Sequence, residues 1–260
     1  MQISQIFLRN LRNLWISKDH MPTNGIKAIF FDLDGTLRHN VPSGGDIFND
    51  YVRTLDVSFT EEDRLRSLRW EMQYWANSPD LLNDIKAHQG EDEKFWIAYS
   101  HRRLLALGLS PEQTGELAPK VSTYMGESYK PGSIVPEDAR RVLPALKEAG
   151  YLLAVISNRN TPFQDELESH GIAEFFRFSL AGGEVSAFKP EPEIFAHALQ
   201  RGGVTAPETI YVGDNYYADV VGSRRAGLQP VLYDPTGLFP DADCTVIQSF
   251  DELISVLKIV

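Results

Sequence analysis

Residues 27–37 of the 260-residue chain read KAIFFDLDGTL, an apolar run that stops at two aspartates. Ala28–Phe31 is too continuously apolar for a sheet with one face in water, so it is predicted to be an interior strand of a parallel sheet. Ligands of such sheets lie outside the carboxyl ends of the strands, where Asp32 and Asp34 point to the same side. Gly35 then permits a turn. The alternative interpretation is a strand with an ordinary Asp-Gly turn.

The composition of the chain is that of an acidic globular protein. Apolar residues make up 43%, enough for one large core or a core with a smaller module. Lys and Arg number 25 against 36 Asp and Glu, which gives a net charge of -11. This balance argues against nucleic acid as a partner, because that binding depends on cationic neutralisation of phosphates. A small phosphorylated ligand would need a divalent cation or locally placed Lys or Arg.

Several other classes of protein are disfavoured. Cys244 is the single cysteine, so an intrachain disulfide is excluded and a reducing, cytoplasmic compartment is expected. The six histidines are scattered and lack the close pairing of a zinc site. No transmembrane segment is predicted, because no stretch approaches the roughly 18 apolar residues that a span requires.

The N-terminal extension, residues 1–23, carries an amphipathic pattern. Its apolar positions fall on one helical stripe, interleaved with basic residues, and are Ile3, Phe7, Leu11 and Leu14. A short helix is therefore expected, either docked on the protein itself or in contact with a partner or a membrane surface.

The rest of the chain is predicted to form an α/β core interrupted by a helical insert. Residues 24–40 and 132–260 alternate strand and helix patterns, which is typical of a doubly wound parallel sheet. Residues 41–131, the helical insert, show helical periodicity without a convincing strand. In the insert, Thr60 is expected to cap a helix whose apolar stripe includes Leu65, Leu68, Met72 and Trp75. In the core, Thr161 is expected to cap another helix.

Polar side chains follow the predicted strands at four separate places along the chain. They are Asp32 and Asp34, Ser157 and Asn158, Lys189, and Asp214 and Asp219. Right-handed crossovers bring the carboxyl ends of parallel strands to one edge, so these groups are expected to converge. Carboxylates from two strands make an oxygen-rich site suited to Mg²⁺.

These segments resemble the four motifs of the haloacid dehalogenase superfamily, which read here DLDGT, SN, FKP and GDNYYAD. The match covers residues 24–40 and 132–260, whereas the helical insert resembles the family's cap in position and helical character only. The resemblance implies a Rossmann-like core and a Mg²⁺-dependent reaction. It further implies that Asp32 is the nucleophile that forms an aspartyl-phosphate. Asp34 would be the general acid and base, and its backbone carbonyl would hold the metal.

The resemblance also assigns roles to the other positions. Lys189 would be a third catalytic residue, which bridges Asp32 and the phosphate. Ser157 and Asn158 would bind the phosphate together with Lys189. The metal ligands that it implies are Asp32, Asp34, Asp214 and Asp219.

Three activities remain open after this assignment. A phosphatase of a small phosphorylated metabolite, similar to the phosphoglycolate phosphatase group, is favoured. A phosphomutase would use the same core residues but return the phosphoryl group to its product. A non-catalytic, phosphate-responsive binding protein is the third interpretation. Dehalogenation is disfavoured, because dehalogenases of the superfamily lack the second aspartate of the first motif.

Overall fold

The computed structural model describes residues 25–258, so the predicted N-terminal helix lies outside the described residues. In chain order the strands are β1 Ala28–Phe31, β2 His39–Val41, β3 Gly132–Ile134, β4 Leu152–Ser157, β5 Phe178–Ala181, β6 Thr209–Gly213, β7 Gln229–Tyr233 and β8 Thr245–Ile247. Six of them form one sheet in the order β5-β4-β1-β6-β7-β8, and every pairing in it is parallel. The predicted parallel α/β sheet is confirmed.

Helices separate the strands of the six-stranded sheet along the chain except between β7 and β8, and five further helices lie in the insert. They are α1 Gly44–Arg53, α2 Glu61–Trp75, α3 Pro79–Ala87, α4 Asp92–Ala106, α5 Pro111–Ser128, α6 Glu137–Glu148, α7 Gln164–Ser169, α8 Gly182–Val185, α9 Pro192–Gly202, α10 Val221–Arg225 and α11 Phe250–Val256. A π-helix over Tyr216–Val220 leads into α10. Within residues 25–258, none of the helices is both long and apolar enough to cross a bilayer.

β1 lies at the centre of the sheet and is buried along its whole length. Its residues alternate between two hydrophobic clusters, with Phe31 packed among the side chains of α6 and α11 and Phe30 among those of α9. Both faces of the sheet are therefore covered. Phe31 pairs with Val155 of β4 and Val212 of β6, so the chain segments that follow these three strands emerge side by side at one edge.

The helical insert is joined to the core through a ladder that the sequence did not predict. β2 and β3 pair antiparallel, with His39 opposite Ile134 and Val41 opposite Gly132. Five helices, α1 to α5, lie between these two strands along the chain. One hydrophobic cluster joins α1, α4 and α5 and includes Phe48, Leu104 and Val121, and a second joins α2, α3 and α4 through Tyr74, Leu81 and Tyr99.

Two local predictions have different outcomes. Thr60 caps α2 as expected, since its hydroxyl accepts a hydrogen bond from Asp63 N at 3.2 Å. Thr161 does not cap α7, which begins at Gln164. The segment before α7 is instead bound by another part of the chain, because Gly183 N donates to the Arg159 carbonyl at 3.1 Å. This contact takes the place of a helical turn.

The predicted stripe of α2 is only half-buried. The fully buried residues of this helix are Ser67 and Tyr74, whereas Leu65, Leu68 and Met72 are partly exposed and Trp75 is exposed. α2 lies over the edge of the sheet, where the Met72 carbonyl accepts a hydrogen bond from Asn215 Nδ2 at 2.8 Å. The helix thus shares its faces between the insert and the core.

Candidate active site

Asp32 is the first residue beyond β1, and its backbone continues the ladder by donating from N to the Val212 carbonyl at 2.8 Å. Its side chain is buried, and Oδ1 accepts a hydrogen bond from Lys189 Nζ at 2.5 Å. The second oxygen faces Thr36 Oγ1 at 3.4 Å. Asp32 therefore lies at the centre of a polar cluster covered by the surrounding protein.

Lys189 has three partners and is only 3% exposed. Its ammonium donates to Asp32 Oδ1 at 2.5 Å, to Asp219 Oδ1 at 2.7 Å and to the Tyr211 hydroxyl at 3.0 Å. These contacts use all the donors that a lysine ammonium has. Burial alone would lower the Lys189 pKa, but the negative charges of Asp219 and Asp32 outweigh it and hold the pKa well above its usual value. The lysine is a fixed positive charge.

The side chains of Asn158 and Tyr211 hold Lys189 in place. Asn158 Nδ2 donates to the Lys189 carbonyl at 2.8 Å, and Asn158 Oδ1 accepts from Lys189 N at 2.6 Å. The Tyr211 hydroxyl, which contacts Nζ, donates to the Ile156 carbonyl at 3.0 Å. Ser157, the last residue of β4, is buried beside this group. Both polar atoms of the Asn158 side chain are thus hydrogen-bonded to the backbone of Lys189.

Asp214 follows β6 and is held against the turn after β1. Thr36 Oγ1 donates to Asp214 Oδ1 at 3.1 Å and accepts from Asp214 N at 3.0 Å. Gly35 has a φ of +93°, and a Cβ at this position would lie 2.3 Å from Asp214 Oδ2. A side chain there would collide with the carboxylate. Gly35 is therefore needed both for the turn and for the approach of Asp214.

Asp219 lies in the π-helix and is 1% exposed. Its two oxygens accept hydrogen bonds from Lys189 Nζ at 2.7 Å and from Asn215 N at 2.9 Å. Gly213 makes room for this carboxylate, because a Cβ there would lie 2.3 Å from Asp219 Oδ2. The geometry makes Asp219 a direct partner of the buried lysine.

Asp32, Asp214 and Asp219 form an acidic cluster that can hold a metal ion. Each offers a carboxylate oxygen, and these oxygens all lie within 4.8 Å of one another. Burial raises the pKa of Asp32 to about 7. Burial also raises the pKa of Asp214 well above its usual value, and the charges of Asp32 and Asp219 add to the effect. With a single lysine among three carboxylates, the cluster has excess negative charge that a divalent cation would neutralise.

Asp34 is separated from the acidic cluster and pairs with arginines. Arg159 contacts both of its oxygens, with Nε to Oδ2 at 2.8 Å and Nη2 to Oδ1 at 2.7 Å. Arg38 Nη1 lies 3.3 Å from Oδ1. Glu166 forms salt bridges with Arg159 and Arg38, and these contacts lower the pKa of Glu166. Arg159 was not predicted from the sequence, although its place directly after Ser157 and Asn158 was a signal.

The structure therefore brings the predicted site residues to one edge of the sheet in two groups. Asp32, Lys189, Asp219 and the half-buried Asp214 make up the inner group, and Asn158 reaches it through the Lys189 backbone. Asp34 belongs to the outer, arginine-paired group. Residues that the sequence analysis did not single out also shape the site, namely Thr36, Arg159, Glu166, Tyr211 and Asn215.

The chain is similar to a family model, to related sequences and to a solved structure that are all described as hydrolases or phosphatases. The model of the haloacid dehalogenase-like hydrolase family matches residues 26–227. A phosphoglycolate phosphatase of Pasteurella multocida is 28% identical over 241 residues, covering 90% of this chain and 97% of the relative. A ribulose-1,5-bisphosphate 5-phosphatase of Halopiger xanaduensis is 27% identical over 213 residues, covering 80% and 85%. A solved structure of a predicted phosphoglycolate phosphatase from Haemophilus somnus superposes with a TM-score of 0.55 at 23% identity, covering 89% and 98%.

Proposed function

Because the chain belongs to the haloacid dehalogenase-like hydrolase family, we propose that it is a Mg²⁺-dependent phosphatase of a small phosphorylated metabolite. The family match confirms the resemblance read from the four motifs, and with it the expectation of a hydrolytic enzyme. The observation that carries the proposal is the buried pair of Asp32 and Lys189 beside Asp214 and Asp219. A carboxylate nucleophile, a fixed cation and an acidic cluster that can hold a metal ion are the groups that phosphoryl transfer uses.

In the proposed reaction, Asp32 acts as the nucleophile. One carboxylate oxygen of Asp32 forms a bond to phosphorus while the bond from phosphorus to the ester oxygen breaks. The leaving oxygen takes a proton from Asp34, which gives the free alcohol and an aspartyl-phosphate. Water then attacks phosphorus, Asp34 takes up the proton, and the bond from Asp32 to phosphorus breaks to release inorganic phosphate. Lys189 stabilises the negative charge near Asp32 throughout.

The acidic cluster fits Mg²⁺, since its donors are the hard oxygens that this ion prefers. Asp32, Asp214 and the Asp34 carbonyl would hold the ion, which when bound neutralises charge on the phosphoryl oxygens. Asp219 has both oxygens engaged by Lys189 and Asn215. We therefore assign Asp219 mainly to positioning Lys189, with its charge contributing to the attraction of the cation.

The pairing of Asp34 places a condition on this mechanism. Both oxygens accept hydrogen bonds from Arg159, so giving a proton to a leaving group requires that this pair opens. Arg159 and Arg38 lie at the outer side of the site and carry charges opposite to that of a phosphate ester. We propose that the arriving substrate competes with Asp34 for these arginines.

The proposal is tested with the purified 260-residue chain and p-nitrophenyl phosphate. Release of phosphate is expected with Mg²⁺ and is expected to stop when EDTA removes the metal. Asp32→Asn is expected to lower kcat by at least about 10³-fold, because it removes the nucleophile. Asp165→Asn, at an exposed aspartate of α7, is the matched control and is expected to keep wild-type turnover.

Two results would contradict the proposal. One is an Asp32→Asn variant that turns over at the wild-type rate. The other is a well-folded wild-type chain without metal-dependent phosphate release from any monoester, which would favour the non-catalytic binding protein. Transfer of the phosphoryl group to an added sugar phosphate, rather than to water, would favour the phosphomutase.

A further inference from the structure

A cavity of about 750 Å³ lies within the helical insert. Its walls come from several helices and from the segment after α5, and five aromatic residues contribute to them, namely Phe48, Trp75, Trp96, Tyr99 and Tyr129. Trp96 is 47% exposed and Trp75 is 36% exposed, so large apolar rings face solvent in this cavity. A cavity of this volume is in the range of sites that bind cofactors and sizeable metabolites.

Two short stretches of chain connect the lining of the cavity to the candidate active site. Glu71 and Trp75 of α2 line it, and the carbonyl of Met72, between them, accepts a hydrogen bond from Asn215 at 2.8 Å. Asn215 follows Asp214 of the acidic cluster. On the other side the lining residue Asn40 comes two residues after Arg38, whose Nη1 lies 3.3 Å from Asp34 Oδ1. These connections are the basis for placing the rest of a substrate, whose phosphate is at Asp32, in the cavity.

The charged groups of the cavity are mostly acidic. Glu71, Glu93 and Glu127 line it, and Arg103 is the opposing cation. Arg103 is 2% exposed, and its Nη1 donates to Glu71 Oε1 at 2.8 Å, so its charge is already neutralised by that carboxylate. Its Nε and Nη2 have no hydrogen-bond partner among the described residues. The cavity thus has excess negative charge together with buried donors that lack acceptors.

These features point to the chemical nature of the leaving group, and this step rests on the proposed function. We propose that the cavity binds an uncharged alcohol with a hydroxylated ring, so that the substrate is a monophosphate of a sugar-like compound. Aromatic faces pack against the C–H face of such a ring, and glutamates accept hydrogen bonds from its hydroxyls. The hydroxyl oxygens in turn offer acceptors for Arg103. A second acidic group would be repelled by the lining, and glycolate would leave most of the volume empty.

The first experiment compares kcat/KM, with Mg²⁺ present, for glucose 6-phosphate, phosphoglycolate and ribulose 1,5-bisphosphate. The hexose monophosphate is expected to exceed both others by about tenfold or more, since repulsion and poor filling each weaken their binding. Turnover of p-nitrophenyl phosphate with a preference for phosphoglycolate or the bisphosphate would overturn this inference alone. Absence of turnover of every ester, including p-nitrophenyl phosphate, would overturn the proposed function and this inference with it.

A matched pair of charge reversals tests whether the cavity sets the preference. Glu93 and Glu62 are both exposed and both lie in the first turn of a helix, α4 and α2 respectively, but Glu93 lines the cavity. Glu93→Lys is expected to raise the ratio of kcat/KM for phosphoglycolate over glucose 6-phosphate by about fivefold, because it replaces repulsion with attraction. Glu62→Lys is expected to leave that ratio unchanged.

A second variant probes the aromatic wall independently of charge. Trp96→Ala is expected to raise KM for glucose 6-phosphate by about fivefold and to change KM for phosphoglycolate less than twofold, because only the ring-bearing substrate reaches this wall. Leu82→Ala, at a residue of α3 that is 49% exposed and does not line the cavity, is the control. Equal changes in Glu93→Lys and Glu62→Lys, or equal changes of both KM values in Trp96→Ala, would overturn the inference.

Discussion

The polar edge of the sheet and the cavity of the helical insert differ in how completely their buried polar groups are paired. At the sheet edge Lys189 contacts Asp32, Asp219 and Tyr211, which uses all of its donors. In the cavity, two nitrogens of Arg103 have no partner among the described residues. Groups fixed in advance suit chemistry, because they need no rearrangement when charge develops. Unpaired groups beside an open volume suit recognition of a ligand.

If the sheet edge is a preorganised reaction centre, replacing its cation, Lys189, is expected to lower kcat more than any of the changes described below. Lys189→Met is expected to lower kcat toward p-nitrophenyl phosphate by about 10³-fold, because charge near Asp32 is no longer neutralised. It also leaves the buried carboxylates of Asp32 and Asp219 without their opposite charge, which is expected to lower the free energy of unfolding by about 3 kcal/mol. Initial rates and urea denaturation measure the two effects. The exposed Lys120→Met is the control, and equal activity of both variants would refute a preorganised centre.

If the insert serves recognition rather than chemistry, its hydrophobic cluster affects stability without affecting kcat. Leu107→Ala removes a side chain that is 1% exposed and is expected to lower the free energy of unfolding by about 3 kcal/mol. The kcat for p-nitrophenyl phosphate is expected to change less than about twofold, when measured below the unfolding transition. Leu105→Ala, at a residue that is 39% exposed, is the control. A tenfold loss of kcat in Leu107→Ala would contradict the separation of roles.

A variant of Asn158 tests whether hydrogen bonds to the Lys189 backbone keep the Lys189 ammonium in place at the sheet edge. Asn158→Ala removes two hydrogen bonds to the Lys189 backbone and is expected to lower kcat by about 30-fold, because the ammonium loses its position. The exposed Asn160→Ala, two residues further on, is the control. Inhibition by inorganic phosphate separates two roles for Asn158. An unchanged kcat with weaker phosphate inhibition would instead support the direct phosphate contact that the resemblance implied.

The raised pKa of Asp32 predicts that the binding of Mg²⁺ depends on pH. Burial raises the pKa of Asp32 from 3.8 to about 7, so the folded, metal-free protein retains a proton there in mildly acid solution. Mg²⁺ must displace this proton and compete with the protonation of Asp214, whose pKa is also raised, so its affinity is expected to rise by about tenfold or more per pH unit below 7. By the same shift, the metal-free protein loses stability as the pH rises from 3.8 toward 7, because the unfolded chain has already released the proton. Calorimetric titration of Mg²⁺ between pH 5.5 and 8 checks the first effect. A constant affinity would contradict it.

The smallest predicted effect concerns the hydroxyl of Tyr211. Tyr211→Phe removes one of three partners of Lys189 and is expected to lower kcat by about fivefold, which corresponds to about 1 kcal/mol. Tyr233→Phe, at a buried tyrosine of the neighbouring strand β7, is the control. A kcat that is insensitive to Tyr211→Phe would mean that two carboxylates suffice to place the ammonium.

The sequence predicted the sheet edge well for a physical reason. Asp32 and Asp214 directly follow β1 and β6, and Lys189 lies in the connection that follows β5 and α8. Parallel strands that share one hand of crossover end at the same edge of the sheet. Asp32, Lys189 and Asp214 therefore converge even though they are far apart along the chain. Tyr211 was missed because it lies inside β6, where an aromatic residue reads as core. The role of its hydroxyl follows only from the contact with Lys189, which the structure shows.

The insert was harder to predict, because helices pack through faces that the sequence does not identify by itself. The stripe of α2 indicated a buried face, but this helix divides its contacts between the insert and the sheet edge, and Tyr74 and Ser67 are the buried residues. β2 and β3 were missed since each has only three residues, most of them exposed. The cavity depends on the relative placement of several helices, which no short motif encodes.

The two glycines packed against carboxylates have a consequence for genetic variation. A side chain at Gly35 would collide with Asp214, and one at Gly213 would collide with Asp219. In each case the Cβ would lie 2.3 Å from the carboxylate Oδ2. In a saturation mutagenesis map, both positions should therefore score as null alleles alongside the aspartates themselves. Neither glycine has a functional group to contribute, so intolerance there would report the shape of the site and not its reactivity. Variants of the gene that alter these codons should be interpreted accordingly.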